Sequence, residues 1–261
     1  MKGIILAGGS GTRLSPLTKV VSKQLLPVFD KPMIFYPLTT LLTMGVDEIA
    51  IITNPGDQEQ FERLLGSGSD FGISIRYFTQ DKPRGLADAP IITKDFLGDD
   101  PFVLILGDNL LHGPGLGRSL GSHFGRQGAS ILAYHVENPG AYGVVVLDDD
   151  RKPIDLVEKP GERVSNLAIP GLYFFDSRCV DFCLSLKPSS RGELEIVDVL
   201  RRYLEIGQLN VQVVGVGSAW LDMGSHESLL DAGHYVSMIQ SRQGVRIGDP
   251  YVVQQNRNEI I

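Results

Sequence analysis

The sequence predicts an α/β fold organised around one mixed β-sheet, and three observations support this prediction. Apolar segments of strand length recur along the first 136 residues, and the segments between them carry apolar residues at helical spacing, which is the pattern of βαβ units. The chain has 261 residues, a length at the upper limit of what one hydrophobic core serves. It contains 30 glycines and 15 prolines without a repeating period, and so many turn residues suit a loop-rich α/β enzyme better than a helical bundle.

The individual elements follow from these patterns. Strands are predicted at residues 3–7, 48–53, 73–78, 102–106 and 129–136, and helices at residues 32–44, 58–65, 85–97 and 116–127. Pro32 fits the first turn of its helix, where the missing N–H of proline is least costly. After residue 150 the pattern changes to strands at 153–158, 167–176 and 210–216, with helices at 195–207 and 225–240, which predicts an inserted antiparallel part.

Domain organisation is expected to be simple. No linker, low-complexity tract or internal repeat divides the chain, so we predict one domain over residues 1–247 and a short divergent tail at residues 248–261. The tail has weak periodicity and no element is predicted for it. The helix at 225–240 has a broad apolar face, which we expect to be buried, formed by Leu229, Leu230, Tyr235, Val236 and Ile239.

Charge and cysteine content exclude several classes of function. The 24 basic and 31 acidic residues give a net charge of −7, which opposes the long-range attraction that nucleic acid or an anionic membrane requires. Only two cysteines are present, so neither a disulfide framework nor a four-cysteine zinc site can form. The first apolar run, at residues 4–7, is too short for a signal peptide or a membrane span. A cytoplasmic protein is therefore expected.

A glycine-rich loop follows the first predicted strand and is the most informative feature of the sequence. Residues 6–14 read LAGGSGTRL, in which Gly8, Gly9 and Gly11 allow backbone N–H groups to approach an anion. Thr12 and Arg13 add a hydroxyl and a guanidinium suited to phosphate. The loop fits neither the P-loop nor the dinucleotide-binding pattern. A triphosphate is the natural ligand, and an ordinary strand-to-helix turn is the alternative for a glycine cluster taken alone.

Charged side chains also follow other apolar segments. Lys23 interrupts an otherwise apolar stretch, Asp108 directly follows the strand at 102–106, and Glu158 with Lys159 ends the strand at 153–158. Asp222 ends a further apolar run before the helix at 225–240. Ligands of open α/β sheets bind at the carboxyl ends of strands, and an acidic residue there commonly holds Mg²⁺. Each position alone also fits a turn or, for Lys23, a solvated lysine. The three coincidences at Asp108, at Glu158 with Lys159 and at Asp222 are less easily explained by turns.

Three other patterns carry little weight. Residues 117–121 fit the G-x-S-x-G pattern of a hydrolase nucleophile but lie inside a predicted helix. His226 and Glu227 begin like a zinc protease motif, yet Leu230 stands where the second histidine is required. Cys179 and Cys183 are predicted to pack into a core as small hydrophobic residues.

Several segments taken together resemble one family. The motifs LAGGSGTRL (6–14), SKQLLPV (22–28) and DKPMI (30–34), followed by GDN (107–109), EKP (158–160), RGELEI (191–196) and WLDMG (220–224), resemble the sugar nucleotidyltransferases. SKQLLPV, DKPMI and RGELEI resemble more narrowly their glucose-1-phosphate thymidylyltransferase branch. The resemblance extends from residue 2 to about residue 247, so it identifies residues 1–247 as the nucleotidyltransferase domain.

The resemblance implies a fold and a reaction. The fold is a Rossmann-like three-layer α/β/α arrangement with a mixed, mostly parallel central sheet. The reaction transfers dTMP from dTTP to α-D-glucose 1-phosphate and yields dTDP-glucose and pyrophosphate, the first step toward deoxysugars such as rhamnose. A phosphate monoester is already anionic, since its second pKa is about 6, so no general base is required. The protein is left to position two anions and to stabilise the leaving charge.

The resemblance also assigns residues to roles. Gly8, Gly9, Gly11, Thr12 and Gln24 bind the nucleotide, while Gln80 and Gly85 read its base. Arg13 and Lys23 neutralise the leaving pyrophosphate, and Lys159 orients the attacking sugar phosphate; these three are the predicted catalytic residues. Asp108 and Asp222 are the predicted Mg²⁺ ligands. The glucose hydroxyls are assigned to Asn109, Gly143, Glu158 and the backbone of Ile169.

Partners, regulation and alternatives complete the prediction. We expect dTTP and glucose 1-phosphate as substrates, neither nucleic acid nor membrane as a partner, and a homodimer or homotetramer. The tail departs from the family pattern after Pro250, and the family's regulatory nucleotide site uses part of that tail. We therefore expect dTDP-rhamnose to inhibit the enzyme only by competition at the active site. The alternatives are a UTP-dependent enzyme, a transferase for another sugar 1-phosphate, and a non-catalytic sugar-nucleotide sensor.

Overall fold

The computed structural model describes residues 1–9, 11–122 and 127–259, so Ser10 of the glycine loop and His123 of the predicted helix at 116–127 lie outside it. The strands are β1 Lys2–Leu6, β2 Pro27–Val28, β3 Lys31–Pro32, β4 Glu48–Thr53, β5 Ser74–Thr79, β6 Phe102–Leu106, β7 Asn109–His112, β8 Ala129–His135, β9 Gly143–Leu147, β10 Pro153–Glu158, β11 Leu167–Ala168, β12 Leu172–Phe175, β13 Leu209–Val213 and β14 Ala219–Asp222. The helices are α1 Phe35–Thr43, α2 Gln58–Leu65, α3 Asp88–Ile92, α4 Lys94–Leu97, α5 Leu116–Gly121, α6 Cys179–Leu184, α7 Ile196–Glu205, α8 His226–Gln243 and α9 Pro250–Glu259.

The chain divides into two compact units. Unit 1 contains residues 1–83, 105–122 and 218–261, and unit 2 contains residues 84–104 and 123–217. The boundary at residues 104 and 105 runs through β6, so this strand gives three residues to unit 2 and two to unit 1. Each unit has its own set of buried apolar side chains.

Unit 1 is a parallel α/β structure. Its sheet has the order β1-β4-β5, with Ile4 opposite Ala50 and Ala50 opposite Arg76. Strands β1 and β4 are buried on both faces, as their unbroken apolar sequences require. The end of β6 joins β1 through the N–H of Gly107, which donates to the carbonyl of Leu6 at 2.9 Å. The carboxyl ends of these strands therefore lie along one edge of the sheet.

Unit 2 is mostly antiparallel. Strand β8 pairs antiparallel with β11 and β12 and parallel with β13, while β9 pairs antiparallel with β10. Helix α7 packs on β10, and its apolar face is buried, including Val199 and Tyr203. This unit is the antiparallel part that the change of pattern after residue 150 predicts, and it also includes β8.

Most predicted elements are confirmed, and two of the differences have a local cause. The helix predicted at 32–44 starts only at Phe35, because Pro32 pairs with Pro27 in a short hairpin; Pro37 is the proline in the first turn. The helix predicted at 85–97 starts at Asp88 and is interrupted at Thr93, whose hydroxyl donates to the carbonyl of Ala89 at 2.8 Å.

The other two differences concern a strand and the tail. The strand predicted at 167–176 is two short strands, β11 and β12, that pair with different neighbours. The tail, for which the sequence predicts no element, forms α9, in which Tyr251 packs its ring against Phe35 and Phe71 with centroid distances of 6.2 and 5.0 Å.

Helix α8 is held in place by an N-terminal cap and by the packing of its apolar face. Ser225 caps it by accepting from the N–H of Ser228 at 3.2 Å, and Ser228 in turn accepts from the N–H of Ser225 at 3.0 Å. The predicted apolar face packs into a cluster of unit 1 around Val28, Tyr36 and Met223, except for Leu230, which is exposed.

Two further results concern membrane spanning and the two cysteines. None of the helices in the described ranges combines the length and the hydrophobicity that a bilayer-spanning segment needs. Cys179 and Cys183 are buried free thiols with their sulfur atoms 3.8 Å apart, which confirms their prediction as core residues.

Candidate active site

The glycine loop leaves β1 at the carboxyl edge of the unit 1 sheet. Gly9 and Gly11 adopt positive φ angles of 118° and 58°, a conformation that few other residues tolerate. The Asn54 side chain, directly after β4, fixes the loop: its Oδ1 accepts from the N–H of Gly9 and its Nδ2 donates to the carbonyl of Gly9, both at 3.2 Å. The Thr18 hydroxyl donates to the carbonyl of Gly11 at 2.8 Å. These hydrogen bonds hold the backbone at Gly9 and Gly11 in place.

Two carboxylates from distant parts of the sequence meet near this loop in unit 1. Asp108 follows β6, and Asp222 is the last residue of β14. Strand β14 pairs antiparallel with β7 so that Asp222 lies opposite Asn109, and the N–H of Met223 donates to the carbonyl of Asp108 at 2.9 Å. The pairing of two four-residue strands thus brings the two predicted metal ligands together.

Charges of both signs surround this pair. Burial and the neighbouring charge of Asp108 raise the pKa of Asp222 to about 6, although Lys23 and Arg13 oppose the shift. Lys23 forms an ion pair with Asp108. The guanidinium of Arg13 lies against Gly224, where a Cβ atom would come within 2.7 Å of its Nη2. Arg13, Lys23, Asp108 and Asp222 therefore form one charged cluster.

A hydrogen-bond chain orients Asp108 from the buried side. The indole Nε1 of Trp220 donates to Oδ1 of Asn109 at 2.6 Å, and Nδ2 of Asn109 donates to Oδ1 of Asp108 at 3.1 Å. Asn109 is only 2% exposed. In this geometry Asn109 supports Asp108, whereas the resemblance assigns it to glucose.

Two predicted nucleotide-binding glutamines are buried at different places in unit 1. Gln24 is 1% exposed, accepts from the Ser22 hydroxyl at 2.7 Å and lies under Gly107, so it supports the chain next to Asp108. Gln80 follows β5, and its Oε1 would be 3.5 Å from a Cβ atom at Gly8. Gln80 therefore borders the glycine loop.

Unit 2 holds a second cluster, which contains the predicted sugar residues. Glu158 ends β10 directly opposite Gly143, and the N–H of Ile169 donates to the carbonyl of Gly143 at 2.8 Å. A side chain at Gly143 would approach Oε2 of Glu158 to 3.1 Å, so glycine leaves room for this carboxylate. Lys159 has a φ of 43°, which is uncommon for a residue with a side chain and is typical of functional sites. Its side chain is 48% exposed.

Glu158 is surrounded by charges within unit 2. Its Oε1 lies 3.9 Å from Nζ of Lys159 and 3.4 Å from Nη2 of Arg191. Burial raises the pKa of Glu158; Lys159 and Arg191 lower it, while Glu195 raises it further. The cluster joins a cation suited to a phosphate with an acceptor suited to sugar hydroxyls.

Gly85 also lies in unit 2, next to the RGELEI segment. Its φ is 101°, and a Cβ atom there would come within 2.4 Å of the carbonyl oxygen of Leu194. Only glycine allows this approach of the two backbone segments.

Sequence reasoning missed several residues that build these clusters. Asn54 could have been found, because it is a polar residue at the carboxyl end of a buried strand. Trp220 and Arg191 lie in motifs that the resemblance quotes without a role, and their partners are 111 and 33 residues away in sequence. Within the described ranges, no group of three or more histidine, cysteine or acidic residues could hold a metal ion, so His226 and Glu227 form no such site there.

The fold and the charged clusters define a class of enzyme that joins phosphorylated substrates. The family model for nucleotidyl transferases matches residues 2–237. The chain therefore belongs to the nucleotidyl transferase family.

Individual relatives are more specific. The chain is 54% identical over 250 residues to the glucose-1-phosphate thymidylyltransferase of Mycolicibacterium smegmatis, a match that covers 96% of this chain and 87% of the relative. It is 52% identical to that of Neisseria meningitidis, with coverage of 95% and 86%.

Solved structures confirm the Rossmann-like α/β class with its mixed, mostly parallel sheet. A Bacillus anthracis protein provisionally assigned as a glucose-1-phosphate thymidylyltransferase, in complex with sucrose, superimposes with a TM-score of 0.85 and is 38% identical, covering 96% of this chain and 98% of that one. A UDP-glucose pyrophosphorylase in complex with UDP-glucose has a TM-score of 0.79 and is 25% identical, with coverage of 91% and 98%.

Proposed function

We propose that the chain transfers dTMP from dTTP to α-D-glucose 1-phosphate and releases pyrophosphate. The observation that carries this proposal is the charged cluster of unit 1, in which Arg13, Lys23, Asp108 and Asp222 converge beside the glycine loop. The similarity to thymidylyltransferases along almost the whole chain supports the choice of dTTP and glucose. The product, dTDP-glucose, would be the starting point for deoxysugars such as rhamnose.

The chemistry requires charge stabilisation and positioning. An oxygen of the sugar phosphate forms a bond to the α-phosphorus of dTTP while the bond to the β-phosphate breaks and pyrophosphate leaves with the electron pair. The attacking oxygen is already anionic near neutral pH, since the second pKa of a phosphate monoester is about 6. The residues therefore need to hold two anions in position and stabilise the charge on the leaving group.

Unit 1 would supply the nucleotide side. Backbone N–H groups of Gly8, Gly9 and Gly11, with the hydroxyl of Thr12, would bind the phosphates, and Gln80 would contact the base. Arg13 and Lys23 would neutralise the pyrophosphate. Gln24 would contribute indirectly, because it packs against Gly107 and supports the segment that carries Asp108.

Asp108 and Asp222 would hold Mg²⁺. Mg²⁺ is often bound by only one or two protein carboxylates together with substrate phosphates, and two neighbouring carboxylates fit such an ion, the pKa of Asp222 being raised by burial and by Asp108. When bound, the ion would neutralise charge on the nucleotide phosphates.

Unit 2 would supply the sugar side. Lys159 would bind the sugar phosphate, and Glu158 with the backbone at Gly143 and Ile169 would bind glucose hydroxyls. Gly85 would contribute to recognition of the base. Asn109, in unit 1, is proposed to act on glucose only indirectly, because its amide is buried and supports Asp108.

UTP is the second candidate for the nucleotide. Uracil differs from thymine by one methyl group, which a pocket discriminates by roughly 10- to 200-fold, and the chain also resembles a UDP-glucose pyrophosphorylase. A protein that only senses sugar nucleotides is disfavoured, because binding alone gives no chemical reason to combine Arg13, Lys23, Asp108, Lys159 and Asp222.

Assembly and location are also proposed. We expect a homodimer or homotetramer that works in the cytoplasm, where free cysteines such as Cys179 stay reduced. Residues 1–247 are proposed to form the catalytic domain.

Pyrophosphate release tests the proposed function. The wild-type protein is incubated with Mg²⁺ and dTTP, with and without glucose 1-phosphate. We expect release only when both substrates are present, with dTDP-glucose as the other product. Binding of dTTP without any release would favour the sensor instead.

A further inference from the structure

Asn54 binds both backbone polar groups of one glycine in the glycine loop of unit 1. Its Oδ1 accepts from the N–H of Gly9 and its Nδ2 donates to the carbonyl of Gly9, both at 3.2 Å. Asn54 directly follows β4, which lies between β1 and β5 in the parallel sheet. One side chain therefore ties the loop to this strand, and the proposed mechanism gives that side chain no role.

Asp57 determines which end of the Asn54 amide faces the loop. Nδ2 of Asn54 also donates to Oδ2 of Asp57 at 2.9 Å, and the N–H of Asp57 donates to the carbonyl of Asn54 at 3.1 Å. A carboxylate only accepts hydrogen bonds, so the NH₂ end of the amide must face Asp57, and Oδ1 remains for the N–H of Gly9. Asp57 precedes α2 without capping it through its side chain. Its carboxylate is therefore free of a capping role and orients Asn54.

The glycine loop needs such a support because of its composition. Gly9 has a φ of 118°, and glycine loses more conformational freedom on ordering than any other residue. A loop that becomes ordered only when its ligand binds reduces the affinity by the cost of that ordering. Gly11 is held separately by the hydroxyl of Thr18, at 2.8 Å. Asn54 lowers the cost of shaping the part of the loop that contains Gly9.

We propose that Asn54, oriented by Asp57, is a positioning residue that holds the glycine loop in the shape that receives the phosphates of the nucleotide. The inference rests on the proposed function for its ligand, a nucleoside triphosphate. It also refines the role of Gly9, whose N–H is bound by Asn54 and contributes to the shape of the loop. The competing explanation is that Asn54 only occupies an N–H that a phosphate would otherwise take, in which case its removal should tighten binding.

The test uses Asn54→Ala, Asn54→Asp, Asp57→Ala and the double variant with Ala at both positions. Asn210→Ala is the matched control, because Asn210 is an exposed asparagine of unit 2 whose amide donates to the carbonyl of Ala129 at 3.4 Å. Binding of dTTP and of UTP in the presence of Mg²⁺ is measured by isothermal titration calorimetry. Steady-state kinetics give KM for dTTP and for glucose 1-phosphate, and circular dichroism checks that each variant is folded.

Asn54→Ala should weaken binding of dTTP and raise its KM about 10-fold, because both hydrogen bonds to Gly9 are lost. KM for glucose 1-phosphate should stay within about twofold of the wild type, since the glycine loop is proposed to contact only the nucleotide. UTP should lose affinity by the same factor as dTTP, because the loop receives phosphates and not the base. Asn210→Ala should resemble the wild type.

The other variants test the part played by Asp57. Asp57→Ala should weaken dTTP binding by a smaller factor than Asn54→Ala, since it leaves the amide of Asn54 in place. The double variant should be within about twofold of Asn54→Ala, because Asp57 acts through Asn54. Asn54→Asp should bind dTTP at least as weakly as Asn54→Ala, since it has no N–H to donate and turns a carboxylate toward the carbonyl of Gly9.

Three results would overturn the proposal. Unchanged or tighter dTTP binding in Asn54→Ala would show that Asn54 does not position the loop for phosphate. Equal losses toward dTTP and glucose 1-phosphate would indicate a general structural role, and a changed ratio of dTTP to UTP affinity would place the effect at the base. If Asn54→Ala does not fold, the same comparisons with Asn54→Asp decide. Calorimetry needs no turnover, so a wild-type protein that binds dTTP but releases no pyrophosphate would refute the proposed function and leave the role of Asn54 testable.

Discussion

At the residue scale, Asp222 has two properties that a single substitution separates. Its carboxyl group has a pKa raised to about 6 by burial and by Asp108, and it is a proposed Mg²⁺ ligand. In the folded, metal-free protein this carboxyl binds its proton more tightly than in the unfolded chain. Between about pH 4 and 6, stability should therefore fall as the pH rises.

Asp222→Asn should consequently stabilise the metal-free protein at neutral pH by about 1–3 kcal/mol and lower turnover by about 100-fold or more. Thermal unfolding with and without Mg²⁺ and pyrophosphate release provide the measurements. The exposed Asp231→Asn, which removes the same charge from α8, should change neither. Near-normal turnover of Asp222→Asn at ordinary Mg²⁺ concentrations would show that Asp222 is not a ligand.

Two cations are assigned to different substrates, and their variants should differ accordingly. Lys159→Ala should impair use of glucose 1-phosphate, whereas Arg13→Ala should mainly impair use of dTTP, because each change removes one charge from one anion. Losses of about ten- to a hundredfold in the corresponding kcat/KM are expected. Initial rates with each substrate varied in turn measure both. Equal losses toward both substrates in both variants would refute the division.

At the element scale, Asp176, which directly follows β12, connects the end of this strand to neighbouring residues of unit 2 by hydrogen bonds. Its carboxylate accepts from the N–H of Gly128 at 2.7 Å, from Nε of Arg178 at 3.0 Å and from the Tyr203 hydroxyl at 2.7 Å. Burial raises the pKa of Asp176, but these hydrogen bonds outweigh burial and hold it below its usual value. The stabilisation is thus present above the unfolded pKa of about 3.9 and is lost as the pH falls through the folded pKa.

Asp176→Asn should therefore destabilise the protein at pH 7 by about 1–3 kcal/mol, and the difference from wild type should shrink below about pH 4. Urea unfolding at pH 7 and pH 3 measures this. Asp150→Asn is the control, since Asp150 is exposed and its contact with Lys152 is 3.9 Å long. A difference that does not depend on pH would mean that the charge of Asp176 is not involved.

Prediction from sequence succeeded for elements with a strong local pattern. Strands β4, β6 and β10 and helix α2 have the predicted bounds, because continuous apolar runs and helical spacing determine them locally. Strands β7 and β14 are four residues each and depend on pairing with each other across more than 100 residues. For the site, the sequence and the resemblance predicted the charged residues, but not the supports Asn54, Trp220 and Arg191, whose roles depend on long-range contacts.

At the scale of the whole molecule, an exposed apolar surface of unit 1 supports the proposed assembly. Leu17, Phe29 and Leu230 are 46%, 53% and 60% exposed and line one groove with Leu229. Apolar patches of this kind mark interaction sites. Leu230→Glu should shift the protein toward the monomer in light scattering after size exclusion, and Leu184→Glu, at an exposed leucine of unit 2, should not. A wild-type monomer at micromolar concentration would contradict the assembly.

Nucleotide choice is the most direct test of the central claim, because the charged clusters explain transfer but do not select the base. The protein is incubated with Mg²⁺, glucose 1-phosphate and equal concentrations of dTTP, UTP, CTP, GTP and ATP, and the sugar nucleotides formed are separated and quantified. The proposed function predicts dTDP-glucose as the main product, with UDP-glucose as the largest of the minor ones. A different main product, or no sugar nucleotide at all, would contradict it.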